Sequence, residues 1–250
     1  EILKLSFAES SISNGQFHIF QHGGDYGVKK HHPQESLERK YASKFITWGW
    51  QDNNDRNIVA GFCPLTTNDR FGKPKSESKK CEILYVSDYC PRFCLSRLPN
   101  YARSLSLQDR FFRNVAPDLI TKIKVRLHSI DGGWNRKERL LNINNNIRFD
   151  DRSRGFLDEL RFAKIYITDH LSTSWLQALN ENVPTIIFWD NNAYQARDSA
   201  KKAFDKLRAA NILHASPEDA ARWLEKICNH PNNWWHSDDC QAVVTDVVSE

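Results

Sequence analysis

The feature that most constrains this chain is an alternation of short apolar runs with helical stretches of about ten residues or more. Residues 16–21 (QFHIFQ) and 44–50 (KFITWGW) are strand-sized runs that lead into glycine, and a charged helical stretch at 33–43 (PQESLERKYAS) lies between them. Residues 66–80 (TTNDRFGKPKSESKK) are polar, with Gly, Pro and Ser, and read as a linker or exposed loop. After it the pattern predicts strands at 81–87, 121–127, 164–168, 185–189 and 212–214, and helices at 105–119, 153–162, 172–180, 193–210 and 217–229. Strands that alternate with helices this way join by right-handed crossovers into a parallel sheet covered on both faces. The expected class is α/β with a doubly wound, Rossmann-like parallel sheet, in which ligands bind outside the carboxyl ends of the strands.

Composition removes several function classes. Of 250 residues, 40% are hydrophobic and 26% charged, the profile of a globular protein rather than a disordered or fibrous one. Lys and Arg (35) against Asp and Glu (31) leave a net charge of +4 with the signs mixed along the chain, so no basic stripe marks a nucleic-acid partner. The most apolar run, 183–189, is strand-sized and contains a proline, so no membrane span is expected, and the first residues lack the pattern of a secretory leader. Six scattered cysteines, at 63, 81, 90, 94, 228 and 240, lack metal spacing and read as reduced thiols of a cytoplasmic protein. The chain holds no methionine, initiator included; this fits a Met-free piece of a longer protein or, as we favour, modified methionines absent from the sequence, with truncation expected as well.

Residues just after the expected strands are polar, basic and small: His22-Gly23-Gly24, Gly49, Ser87-Asp88, Arg126 with His128, Thr168-Asp169 with Ser172-Thr173, and Asp190. They suit an anionic ligand. At 165–188 a strand ends in Thr-Asp and a Ser-Thr-Ser cluster opens a helix, whose free N–H groups and dipole favour a phosphate. Helix capping by Ser172 or Thr173 is the competing reading. His22-Gly-Gly allows close backbone approach and offers a base at neutral pH, against a plain turn with a structural His. Arg126 and His128 share a strand face and can point at one anion, or Arg126 can form a surface ion pair. Trp48, Trp50, Trp234 and Trp235 read as packing residues, with sugar stacking the minority reading.

In order along the chain, QHGGDYG (21–27) with Glu35 and Glu38 on the following helix, FITWGW (45–50), VAGFCP (59–64), ILYVSDY (83–89) and KVRLH (124–128) resemble the GT-B glycosyltransferase architecture. They are similar in particular to CDP-glycerol glycerophosphotransferases and Kdo-type capsule glycosyltransferases. With DHLSTSWLQALNENVPTIIFWD (169–190), ILHASPEDAARWL (212–224) and NNWW (232–235), the set resembles a bacterial family of transferases found with surface-carbohydrate genes. Coverage runs from about residue 15 to 240, and the motifs are specific in combination rather than singly.

The resemblance implies three parts: 1–64 as the end of an acceptor-side Rossmann-like domain, 65–230 as the nucleotide-donor-binding domain, and 231–250 as a Trp-containing segment packing back on the interdomain cleft. It implies a metal-independent glycosyltransferase that moves a sugar from a nucleotide-activated donor to a surface polysaccharide or related glycan. His22 would be the general base, and Gly23, Gly24, Arg126, His128, Asp169, Ser172 and Thr173 would bind donor phosphate. No cofactor is implied, the nucleotide sugar being a substrate. Implied partners are that donor and a glycan or lipid-linked acceptor, with a cytoplasmic site that allows peripheral contact at the inner membrane face. Transfer of glycerol phosphate or another polyol phosphate from a CDP donor, and nucleotide-sugar binding without catalysis, are the alternatives. The chain departs from the family at Gln177, where Glu is usual, which puts a ribose-gripping carboxylate in doubt.

Overall fold

The structure is a computed structural model that describes residues 2–52, 54–63, 83–89, 101–190 and 194–249. Its first part contains α1 (Ile2–Ile12), β1 (His18–Phe20), α2 (Pro33–Tyr41), β2 (Lys44–Thr47) and β3 (Ile58–Ala60). These strands pair in parallel in the order β1-β2-β3. The expected linker at 66–80, with Cys81, Cys90 and Cys94, lies outside the described residues.

The second part runs β4 (Ile83–Val86), α3 (Tyr101–Asn114), α4 (Pro117–Ile120), β5 (Ile123–Arg126), α5 (Arg136–Ile143), β6 (Arg148–Phe149), α6 (Phe156–Phe162), β7 (Ile165–Thr168) and α7 (Ser174–Asn180). It continues with β8 (Thr185–Phe188), α8 (Asp198–Ala209), β9 (Leu213–His214), α9 (Pro217–Ile227), α10 (Pro231–Trp235) and α11 (Asp238–Ser249). All six strands are parallel, in the order β6-β5-β4-β7-β8-β9. Every residue of β4, β7 and β8 is buried, as expected of central strands with helices on both faces. The doubly wound α/β expectation holds.

One hydrophobic core lies between the sheet and α3, α5 and α9, and includes Phe111, Phe112, Leu140 and Leu224. The other lies under α6, α7, α8 and α11, and includes Leu160, Trp175, Phe204 and Val244. Trp234 packs against both. Trp235 is fully buried and donates its indole N–H to Asn182, so both read correctly as packing residues.

Several boundaries differ from the sequence pattern for local reasons. The helix expected over 105–119 breaks at Pro117, which lacks an N–H and holds Ala116 extended (ψ 138°), so α3 stops and α4 restarts. The helix expected from 153 begins only at Phe156, because Asp150 and Asp151 accept the Arg152 and Ser153 N–H groups and Arg152 sits at φ 61°. The helix expected from 172 begins at Ser174, and that expected from 193 begins at Asp198.

The two parts are joined through α2, which is turned opposite to hydropathy: Glu35 and Glu38 are buried while Leu37 is exposed. The fully buried Glu35 carboxylate accepts from the Gly27 N–H (3.0 Å), Arg39 (3.3 Å) and Arg197 (2.7 Å) at the start of α8. Arg197 also donates to the Lys29 carbonyl (2.9 Å), and the Lys30 N–H to the Gln195 carbonyl (2.7 Å). A buried carboxylate of this kind is tolerable only with all its donors in place. Glu35→Ala should leave Arg197 uncompensated and cost about 3–5 kcal/mol in urea unfolding; a loss below about 1 kcal/mol would show the clamp to be dispensable.

Candidate functional site

β1 delivers the chain into Gln21, which is 5% exposed and spends its side chain internally. Its Oε1 accepts the Trp48 N–H (2.9 Å) and the Trp50 indole N–H (2.8 Å), and its amide donates to the Gly23 carbonyl (2.8 Å). The glycine turn that follows is therefore braced against the end of β2. His22 stands on that turn with its side chain 55% exposed. Its Nε2 lies 3.0 Å from Glu38 Oε1 and 2.8 Å from the Tyr26 hydroxyl.

Tyr26 has one proton and donates it to Glu38 Oε2 (2.9 Å). Burial and that carboxylate both push the phenol up, so it stays a donor. A proton on His22 Nε2 would satisfy Glu38 and the Tyr26 oxygen, and that tautomer would present the Nδ1 lone pair. Orientation of an imidazole by a carboxylate in this way is the relation found in nucleophile-base-acid triads. Sequence reading picked out His22 but not the inward turn of Glu38; a helix whose leucine sits on the wrong face was the available signal.

Gly24 carries the turn across to the second part: its N–H donates to Thr173 Oγ1 (3.0 Å). A Cβ on Gly24 would lie 2.7 Å from Leu176 Cδ1 and 3.0 Å from the Ser172 carbonyl, so a larger residue would press the two parts against each other here. Thr173 occupies the N-cap of α7 without a side-chain capping bond. Its hydroxyl serves the junction instead, a role that neither the phosphate nor the capping reading anticipated.

Below this contact lies the switch point of the six-stranded sheet, between β4 and β7, where connections leave in opposite directions. Asp169, 7% exposed, accepts at Oδ2 from Tyr85 (2.8 Å), Ser87 (2.8 Å) and Gln108 (3.3 Å), and its Oδ1 is 3.1 Å from His170 Nδ1. Burial works to raise its carboxyl, but the His170 hydrogen bond and the nearby Arg136 charge hold it below the ordinary carboxylate range. Asp169 thereby ties β4, α3 and β7 together at the level of the crevice. Ser172 and Thr173, half-buried, stand above it.

Arg126 and His128 end β5, the neighbour of β4 on the other side, with Arg126 and Thr168 both in register with Val86. Two strand spacings, about 10 Å, separate them from the β7 end. The Arg126 guanidinium pairs with Asp150 (2.5 Å) and reaches the Arg154 carbonyl (3.2 Å), and His128 Nδ1 accepts the Ile130 N–H (3.1 Å). The structure therefore joins His22, Gly23 and Gly24 to Ser172 and Thr173, and sets Arg126 and His128 apart from them on the same edge.

Arg136 escaped the sequence reading. Its side chain is almost fully buried (1% exposed), donates to the Asp88 carbonyl (2.6 Å) and to Ser87 Oγ, and keeps a buried Nε without a partner. The signal was the preceding loop DGGWN (131–135), where Asp131 accepts the Asn135 and Arg136 N–H groups and Gly132, Gly133 and Asn135 have positive φ.

The turn is also acid-sensitive. Burial works to raise the Asp25 carboxyl, but a hydrogen bond from His32 and the Lys29 ammonium outweigh it and hold it at about 2. A depressed carboxylate contributes stability above its unfolded value of 3.8 and loses it as pH falls through its folded value of about 2. Asp25→Asn should therefore be less stable than the parent by about 2 kcal/mol near pH 6, with the gap closing near pH 2, in urea titrations at both values. Gly24→Ala should cost about 1–3 kcal/mol by overpacking the junction, and an unchanged urea midpoint would show that the two parts do not meet there.

No curated protein matches the chain significantly in sequence. Among solved structures it is similar to an OtsA apo structure, with a TM-score of 0.50 and 10% identity over 96% of this chain and 66% of that one. It is likewise similar to a protein assigned as UDP-N-acetylglucosamine 2-epimerase from Listeria monocytogenes, with a TM-score of 0.50 and 9% identity over 97% and 68%. The chain spans about two thirds of the length of these two structures. Likeness at this identity concerns the fold, which is the Rossmann-like, GT-B type of arrangement that the motifs implied. A family model described as LIC12162 family transferase matches residues 1–250, so the chain belongs to that transferase family.

Proposed function

We propose that this chain carries the catalytic cleft of a glycosyltransferase, which moves a sugar from a nucleotide-activated donor to a hydroxyl of a surface polysaccharide or related glycan. The observation that carries the reading is His22, half-exposed on a glycine turn at the junction of the two parts, with Nε2 held by buried Glu38 and Tyr26. His22 Nδ1 takes the proton of the acceptor hydroxyl as that oxygen bonds to the anomeric carbon. The bond from that carbon to the phosphate oxygen breaks, and the nucleotide leaves with the electron pair.

In this reading Gly23, Gly24, Asp169, Ser172 and Thr173 form the donor phosphate side, with Arg126 and His128 flanking it and the buried Arg136 adding positive potential behind Ser87. Residues 1–64 are then the end of the acceptor-side domain, 65–230 the donor domain, and 231–250 a segment that packs back toward the cleft. Val247 and Val248 near its end line the cavity between the parts. The metal-independent chemistry implied by the resemblance is retained, and the donor is a substrate rather than a cofactor. Among the described residues no helix is long and apolar enough to cross a membrane; a cytoplasmic site that receives a glycan or lipid-linked acceptor belongs to the same proposal.

The test has two arms. A thermal-shift panel of nucleotides should stabilise the protein by about 2.7 kcal/mol at a hundredfold excess over Kd. In a transfer assay read by product mass, His22→Ala should lower kcat by about 10²–10⁴-fold and leave the nucleotide shift unchanged. Glu38→Gln should lower kcat with donor KM preserved. Undiminished turnover in His22→Ala would overturn the role of the base, and no response to any nucleotide would overturn the transferase cleft.

A further inference from the structure

A cavity lies behind the His22 turn rather than at it, and of the residues given a part in the transfer above only Gly24 and Tyr26 line it. It measures about 470 Å³ and opens between the Trp48–Trp50 wall of the first part and helices α7, α8 and α11 of the second. That size falls in the range of small-ligand sites, about 300–1,000 Å³. Its far side is largely apolar, with Leu176, Ala200, Phe204 and Val248, and also carries Asn180, Arg197 and Ser199.

The wall contributed by the first part is of another kind. Trp48 and Trp50 are both half-buried and both line the cavity. Their indole N–H groups are already spent: Trp48 donates to the Gln21 carbonyl (2.9 Å) and Trp50 to Gln21 Oε1 (2.8 Å). Gly27, at φ 73°, lies so close to the Trp50 indole that a Cβ there would approach Cε2 to 2.6 Å. What the two rings have left to offer is π surface in a fixed orientation, held by the same buried glutamine that braces the turn. Beside them at the rim stand Gln51 and Asn54, whose side-chain amides make no hydrogen bond within the described residues. A third indole, Trp175, lines the opposite side, 3% exposed, with its buried N–H unpaired.

An alkyl chain would bury against the rings but makes no use of the open amides. A sugar ring uses both. The C–H face of a pyranose carries partial positive charge that suits the negative face of an indole, and its hydroxyls need planar amides and donors at the edge. We propose that this cavity is a carbohydrate subsite, in which Trp48 and Trp50 stack on a pyranose ring of a neutral glycan while Gln51 and Asn54 meet its hydroxyls. Naming that glycan the acceptor rests on the transferase reading; ring binding does not. Preorganisation by Gln21 means that little ordering cost falls on the ligand complex.

Saturation-transfer NMR on the full chain tests this with maltotriose, chitotriose and octyl β-glucoside as probes, alongside Trp50→Leu, Asn54→Ala and the nucleotide thermal shift. Saturation should reach ring protons of at least one probe, Kd should rise at least tenfold in Trp50→Leu and measurably in Asn54→Ala, and the nucleotide response should stay as in the parent. If Trp50→Leu fails to fold, the Asn54→Ala arm decides by itself. Saturation confined to the octyl chain, binding undiminished in the variants, or no saturation with any probe would overturn the subsite while an intact nucleotide shift kept the donor reading. Ring binding that persists without any nucleotide response would instead retain the subsite and remove the transferase reading.

Discussion

The buried Glu35 carboxylate is the interaction on which the rest of the arrangement depends. It gathers Gly27 of the glycine turn, Arg39 of its own helix and Arg197 at the head of α8 onto one charge. Burying a carboxylate is costly, and the cost is offset only when each donor is present at once. One buried charge therefore fixes three elements relative to one another. One turn further along the same face, Glu38 does for His22 what Glu35 does for the junction. Helix α2 thus presents charge inward at both positions and leaves Leu37 toward solvent.

From that clamp follows the geometry of the cleft. The turn carrying His22 is held from below by Gln21 and from the side by Gly24, which meets Thr173 beyond the end of β7. The six-stranded sheet brings its own fixed point to the same place, since Asp169 bonds to side chains from β4, α3 and the loop after β4. An imidazole on one rigid turn and a polar strand edge facing it suit chemistry that depends on holding two reactants at a set distance. Behind the turn, the glutamine that braces it also orients two indoles, so the site and the cavity share one support.

Much of the fold was legible because it rests on period and punctuation. The runs ILYV, IYIT and TIIF are apolar without alternation, the mark of strands covered on both sides, and all three are central. Pro117 and the Asp150–Arg152 turn shifted helix ends for reasons that are local, and a stricter reading of X-Pro and Asx chemistry reaches them. The short elements β3, β6 and α10 carry too few residues for a period to emerge. Of the site, His22, Gly24 and Thr173 were visible as strand-end residues, whereas Glu38, Gln21 and Arg136 were not, because each is a polar residue whose importance lies in being buried.

By itself the sequence determined the α/β class, the parallel doubly wound sheet, the edge at which polar residues collect and the candidate base. These follow from hydrophobic period and from the chirality of crossovers, which are properties of neighbouring residues. Tertiary structure alone decided which way α2 faces, that Thr173 binds Gly24 rather than capping its own helix, that Arg126 is already paired with Asp150, and that Trp48 and Trp50 wall a cavity. Each of these depends on desolvating a polar or aromatic group against a partner distant in sequence. The free energy of such a group is set by where its partners come to lie, and no local pattern records that.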